Sequence, residues 1–109
     1  GVAVRERAAL PELILELDRD AVAHGDKLTG RLHSRFSGAR ALVVVRDAHG
    51  IKLRRTITLA GGDARIELPV LPSLGFGASV EAYLLGAGGE IHAAQRDLRV
   101  DPKQRSRRT

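Results

Sequence analysis

The chain has no cysteine, no tryptophan and no methionine, and only three aromatic residues, Phe36, Phe76 and Tyr83, in 109 positions. Without thiols it has neither a disulfide framework nor a cysteine-based metal site, and its redox compartment leaves no mark on the sequence. Packing alone must hold the fold. No apolar run approaches the roughly 20 residues that cross a bilayer as a helix, and no signal-peptide pattern opens the chain, so direct membrane insertion is not expected. A chain that starts at Gly1 rather than methionine reads as a piece of a longer protein whose address signals lie elsewhere.

A strong charge of one sign is also lacking. The formal net charge is +5, but Lys103, Arg105, Arg107 and Arg108 follow Pro102 in a polar tail, and without these four the balance of the remainder is about +1. A nearly neutral body and a basic tail without aromatics for base stacking argue against a nucleic-acid partner. Apolar residues at 43% and charged residues at 28% match an ordinary globular protein of one domain. Residues 1–10 read as a lead-in, 11–101 as the domain and 102–109 as a basic polar tail or linker.

What is present is period-two alternation. Leu28, Gly30, Leu32, Ser34 and Phe36 share one face of a strand whose other face carries Lys27, Thr29, Arg31, His33 and Arg35. The pattern predicts seven strands, over 13–18, 27–36, 39–46, 51–59, 64–70, 76–85 and 91–100, and no helix. The third, with Ala41, Leu42, Val43, Val44 and Val45 in succession, is apolar on both faces and so belongs inside a sheet. Asp47 to Gly50 supply turn chemistry and should join it to the fourth strand as a hairpin. Pro69 and Pro72 end the fifth. In the last strand Ile91 and Ala93 are odd-numbered while Leu98 and Val100 are even-numbered, so a bulge near 94–96 is expected to bring both pairs to the core. Seven short strands divided by Gly and Pro turns predict an all-β, seven-stranded antiparallel β-sandwich of the fibronectin III or immunoglobulin type.

Leu15-Glu16-Leu17-Asp18, a seven-residue connection and then Gly25-Asp26-Lys27-Leu28 resemble the entry to a macroglobulin-like domain of the α2-macroglobulin family. Ser34 to Val45, with Phe36 and Gly38 before a hydrophobic strand, is similar to the corresponding segment of bacterial members, and the likeness continues through Ile66 to Val70 and Ser79 to Tyr83. Val22, His24 and Arg35 depart from the residues common there. The resemblance implies a structural module of a larger protease-trapping protein in the secreted, periplasmic or cell-envelope space. Its partners would be neighbouring domains of the same chain and, through the parent protein, proteases. The shape-defining residues would be Leu17, Asp18, Gly25, Asp26, Phe36 and Gly38. The thioester and the long bait segment of that family are missing from these residues.

The sequence carries no reactive motif. His24, His33, His49 and His92 lack any metal-ligand spacing, and Asp18, Asp20 and Asp26 fall short of a calcium loop, with Asp18 and Asp26 better suited to bonding turn amides. Ser34, Ser37, Ser73 and Ser79 stand in no nucleophile turn, and the Glu12 and Glu16 carboxylates have no evident burial. Neither an enzyme nor a cofactor is expected. The alternative to the structural module is an extracellular β-sandwich that binds a protein or a glycan. With both phenylalanines expected in the core, Tyr83 is its one candidate aromatic contact. A metal-binding sandwich is a further alternative, if histidines or aspartates converge in space.

Overall fold

The computed structural model describes residues 13–36, 38–86 and 88–101; the proposed lead-in and basic tail lie outside them. The strands are β1 (Leu13–Leu17), β2 (Ala21–Ala23), β3 (Lys27–Ser34), β4 (Arg40–Asp47), β5 (Gly50–Thr58), β6 (Asp63–Pro69), β7 (Gly77–Leu85) and β8 (Ile91–Asp101). They form a three-stranded sheet in the order β1-β3-β6 and a five-stranded sheet in the order β2-β8-β7-β4-β5. The expectation of seven wholly antiparallel strands of fibronectin or immunoglobulin type is corrected: there are eight strands, and β2 runs parallel to β8. Ala21–Ala23 escaped the sequence reading because so short a strand shows no alternation. Only Val22 of the three is buried.

The chain changes sheets at the end of β1. Asp18 N–H donates to Thr29 O at 2.9 Å within the first sheet, and Arg99 N–H donates to Asp20 O at 2.9 Å in the second. Asp18 to Asp20 thus carry the backbone from one layer to the other. Gly25 sits at φ +90 in the turn that follows, where an L side chain would be strained. Asp26 closes that turn twice: its N–H donates to Ala23 O at 3.0 Å, and its Oδ2 accepts the Ala23 N–H at 2.9 Å.

The core lies between the sheets. Leu13, Leu15, Leu28, Leu32, Ile66 and Leu68 enter from the smaller one, and Val43, Val45, Val80, Ala82, Leu84, Leu98 and Val100 from the larger. Leu32, Val43 and Val80 have no solvent exposure. Each such side chain contributes about 1.5–3 kcal/mol relative to leaving it in water, so packing of this kind can replace cross-links.

The expected β4–β5 hairpin is formed, and β4 lies between β5 and β7. The expected bulge in β8 is not there: β7 and β8 pair without interruption from Gly77↔Arg99 to Leu85↔Ile91. The even residues of β8 keep the inward side throughout, and Ile91 and Ala93 face outward. The register shift falls instead between Val45 and Arg46, opposite Lys52 of β5. Phe36 packs partly buried against the core, but Phe76, also expected inside, is 64% exposed.

A Cβ added at Gly30 of β3 would clash with Glu16 O of β1, a backbone atom that cannot swing aside. Gly30→Val should therefore lower the unfolding free energy by about 1–3 kcal/mol in denaturant titration; a loss below about 0.5 kcal/mol would show that β1 is free to shift.

Asp47, at the end of β4, is almost fully buried and ties two turns together. Its Oδ2 accepts the Gly75 N–H at 2.8 Å and its Oδ1 the His49 N–H at 2.8 Å. The Gly75 amide holds its carboxyl below the usual carboxylate range against an opposing cost of burial, with help from His49 and Lys52. A depressed folded-state value contributes stability that is present above the ordinary range and is lost as pH falls through the folded value. The melting-temperature gap between wild type and Asp47→Asn should thus be widest near neutral pH and shrink on acidification. A pH-independent gap would show that the charge is immaterial.

Candidate functional site

The inward phase of the five-stranded sheet dictates what its outer face presents. Because Val43, Val45, Val80, Ala82 and Leu84 point to the core, Leu42, Val44 and Arg46 of β4 and Ser79, Glu81, Tyr83 and Leu85 of β7 point away. Pairing sets these side chains in rows. Thr56, Leu42, Tyr83 and Ala93 form one row across β5, β4, β7 and β8, and Arg54, Val44, Glu81 and Gln95 form the next. At the end of the sheet Leu85 stands opposite Ile91.

A polar group covers the middle of this face. Tyr83 Oη donates to Glu81 Oε1 at 2.5 Å, and Arg46 Nε lies 3.1 Å from Glu81 Oε2. The Arg46 Nε–H makes no hydrogen bond, so the contact with Glu81 at that atom is a Coulombic one. Val44, on the same face, is only 3% exposed.

Toward the β7–β8 turn the face is apolar. Leu42 is 38% exposed, Leu85 63% and Ile91 69%. With Thr56, Tyr83 and Arg40 they line a shallow groove of about 240 Å³, below the roughly 300–1,000 Å³ of small-molecule sites. Such a surface suits a macromolecule better than a small ligand. A larger cleft between β1 and β8 is lined by Glu16, Arg19, Asp20, Arg96 and Asp97. It is open and charged, and Arg96 is engaged there, its Nε–H donating to Leu15 O at 2.9 Å across the two sheets. We place the candidate site on the apolar face.

The structure separates most of the candidate ligands and nucleophiles. His24 Nε2 meets Leu74 O at 2.8 Å, and His92 stacks on Phe36 with ring centroids 5.6 Å apart. His33 lies between Glu16 at 3.1 Å and Asp63 at 2.8 Å on the outer face of the smaller sheet, and His49 is exposed at a hairpin turn. Among the described residues no group of three or more His, Asp or Glu side chains could hold a metal ion. Ser34 Oγ accepts the Phe36 N–H at 3.0 Å, with no base beside it. The described residues form an all-β domain.

The six residues named for shape are dispersed. Leu17 packs partly buried against the core at the end of β1, beside Asp18, whose carboxylate lies 3.8 Å from Arg19. Gly25 and Asp26 form the turn before β3; Gly25 N–H also donates to Val70 O at 2.9 Å. Phe36 carries the Arg35 guanidinium 5.3 Å above its ring, and Gly38 N–H donates to Leu59 O at 2.8 Å. None of them lies on the apolar face. The signal for that face was in the sequence: β4 and β7 carry apolar residues in both phases, which marks an interior strand but also puts Leu42, Val44 and Leu85 on the outer surface.

Tyr83 is the only tyrosine of the chain. Its hydrogen bond to Glu81 raises the phenol above its ordinary value, aided by burial and by the Glu81 charge, with Arg46 opposing. Absorbance titration should find tyrosinate forming later than in a model peptide, and Glu81→Gln should restore ordinary titration. The stability from this bond is present below the ordinary phenol value and lost as pH rises through the raised one. Identical titration of wild type and variant would remove Glu81 as the cause.

No family model matches the chain, and no curated protein matches it in sequence. Solved structures do resemble it in fold. The soluble domain of PmoD from Methylocystis sp. ATCC 49242 (Rockwell) aligns with a TM-score of 0.58 at 10% identity, over 82% of this chain and 90% of that one. The sulfur carrier protein SoxY from Chlorobium limicola f thiosulfatophilum aligns at 0.57 and 10% identity, over 92% of this chain and 93% of that one. These likenesses correct the resemblance to macroglobulin-like domains: the fold's matches lie elsewhere, and with them go the protease-trap and inhibitor readings. Gly25-Asp26, part of what carried that resemblance, is a turn device, which any two-sheet fold with the same chain reversal needs.

Proposed function

We propose that this domain is a non-catalytic protein-binding module that docks its partner on the outer face of the five-stranded sheet. The observation that carries this reading is the exposure of Leu42, Leu85 and Ile91 on neighbouring strands. Contiguous exposed apolar side chains rimmed by polar ones are characteristic of protein interaction sites. Arg40 and Arg54 rim the cluster on the β4–β5 side, so the complementary partner surface is apolar at its centre with carboxylates along one side. Tyr83 supplies an amphipathic ring held in place by Glu81, the kind of anchor that loses little entropy on contact. A glycan is supported less well, because the most exposed aromatic ring, Phe76, precedes β7 at the other end of the face. Covalent carriage of sulfur on a cysteine is closed to these 109 residues.

A displayed random peptide library selected against the domain tests this reading. The enriched peptides should perturb the amide resonances of Leu42, Tyr83, Leu85 and Ile91. Their affinity should fall at least roughly tenfold in a Leu85→Asp, Ile91→Asp variant that melts near the wild-type temperature. Failure to enrich binders, or binders that map to the β1–β8 cleft and ignore the two substitutions, would overturn it.

A further inference from the structure

The five-stranded sheet ends at β5, and beyond it no strand of the sheet stands among the described residues. The phase of its backbone follows from two bonds just past its end: Leu59 N–H donates to Ala39 O at 2.9 Å, and Gly38 N–H donates to Leu59 O at 2.8 Å. In an antiparallel ladder alternate residues bond the neighbouring strand. Ile57, Arg55 and Leu53, in step with Leu59 and opposite Ala41, Val43 and Val45, therefore bond β4. Arg54, Thr56 and Thr58 turn their N–H and C=O groups to the open side.

The other three sheet edges are blunted. β2 is three residues long, β1 is five with its Leu15 carbonyl taken by Arg96 Nε at 2.9 Å, and β6, which ends at Pro69, has its Glu67 carbonyl approached by Arg55 Nη1 at 3.5 Å. β5 has nine residues and no proline, and its bulge at Lys52 leaves 53–58 regular. Its charge has one sign. Lys52, Arg54 and Arg55 lie on it without a carboxylate of its own, Arg40 pairs with Thr58, and Arg65 lines the groove between β5 and β6. Among the described residues no carboxylate lies within ion-pair distance of Lys52, Arg54 or Arg55. The positive charge keeps copies of this edge from pairing with one another and favours a strand of opposite sign.

We propose that β5 accepts an extended acidic segment of a partner protein as a sixth strand of this sheet. The main-chain groups of Arg54, Thr56 and Thr58 bond the incoming backbone, and Arg54 and Arg55, on opposite faces, pair with carboxylates at successive positions of the added strand. Thr56 lies beside Leu42 in the same row, so an added strand borders the apolar face and extends it. The inference rests on the reading of the domain as a protein-binding module, but it concerns a separate surface.

The probe is a fluorescein-labelled seven-residue peptide with adjacent glutamates at its centre flanked by Val and Thr, followed by polarisation on titration with the domain. Binding should weaken as salt is raised and fall at least roughly tenfold in Thr56→Pro, which removes an outward N–H and leaves the β4 ladder intact. The same peptide N-methylated at alternate amides should lose binding to the wild-type domain. That second arm decides the matter even where Thr56→Pro does not fold. Three results would each overturn the proposal: no binding, full affinity of the N-methylated peptide, or displacement by oligothymidylate of equal charge as effectively as by unlabelled peptide. If the edge fails while library-selected binders still require Leu85 and Ile91, only this inference falls. If those binders ignore the face while the acidic peptide still requires Thr56, only the face assignment falls.

Discussion

The structure depends on a lock of phase. In the absence of any cross-link, two sheets are held together by alternate side chains of each strand, and once Val43, Val80 and Leu32 occupy the interior with no exposure, every neighbour along those strands is committed outward. The consequence reaches the surface. Leu42, Tyr83 and Leu85 are outward because Val43, Ala82 and Leu84 are inward, and the unbroken β7–β8 register carries Ile91 to the same side. Moving any of them to the core would require a one-residue slip that exposes the entire buried set. The apolar outer cluster is thus a fixed property of the packing and cannot be relieved by local adjustment.

Period two made most of the strands legible, because long alternating segments such as 27–34 and 63–69 state both their type and their buried face. It failed where alternation is too short or is opposed by composition. Ala21–Ala23 offers only Val22 as a signal, and its partner lies 78 residues away at Val100. In β8 the apolar residues at 91 and 93 suggested a bulge, since the sequence reading assumed that apolar side chains must be inside. The structure satisfies a different requirement, the continuous hydrogen-bond ladder with β7, and leaves Ile91 in water. Only Tyr83 of the candidate face is legible in the sequence as a surface contact. Ile91 reads there as core, and the two-sided apolar pattern of β4 and β7 reads as that of interior strands. Turn chemistry was legible locally at Gly25 and Asp26 and misleading globally, because a motif that reverses the chain says little about which larger protein contains it.

The two outer faces of the molecule differ in how they are satisfied. On the three-stranded sheet, Lys27 reaches Glu67 at 3.8 Å and His33 stands between Glu16 and Asp63, so opposite charges on neighbouring strands answer one another. Such exposed pairs contribute little stability. Their effect is to balance charge locally, while Arg31 and Arg65 stand opposite each other across β3 and β6 on the same face. On the five-stranded sheet Arg46, Glu81 and Tyr83 form a matched group in the middle, and Arg99 lies 3.6 Å from Asp101 on β8.

On either side of that group the balance is broken in two ways: apolar side chains remain exposed toward the β7–β8 turn, and cations without carboxylates line the β5 edge. An apolar cluster alone invites nonspecific association, and a cationic edge alone attracts any polyanion. Set side by side on one sheet, they select for a partner that presents apolar surface and a flanking acidic strand in a fixed relation. Specificity then comes from the geometry of the pair, since neither surface discriminates strongly by itself. The two-sheet core is what keeps the distance between them constant, and that is where the fold enters the proposed function.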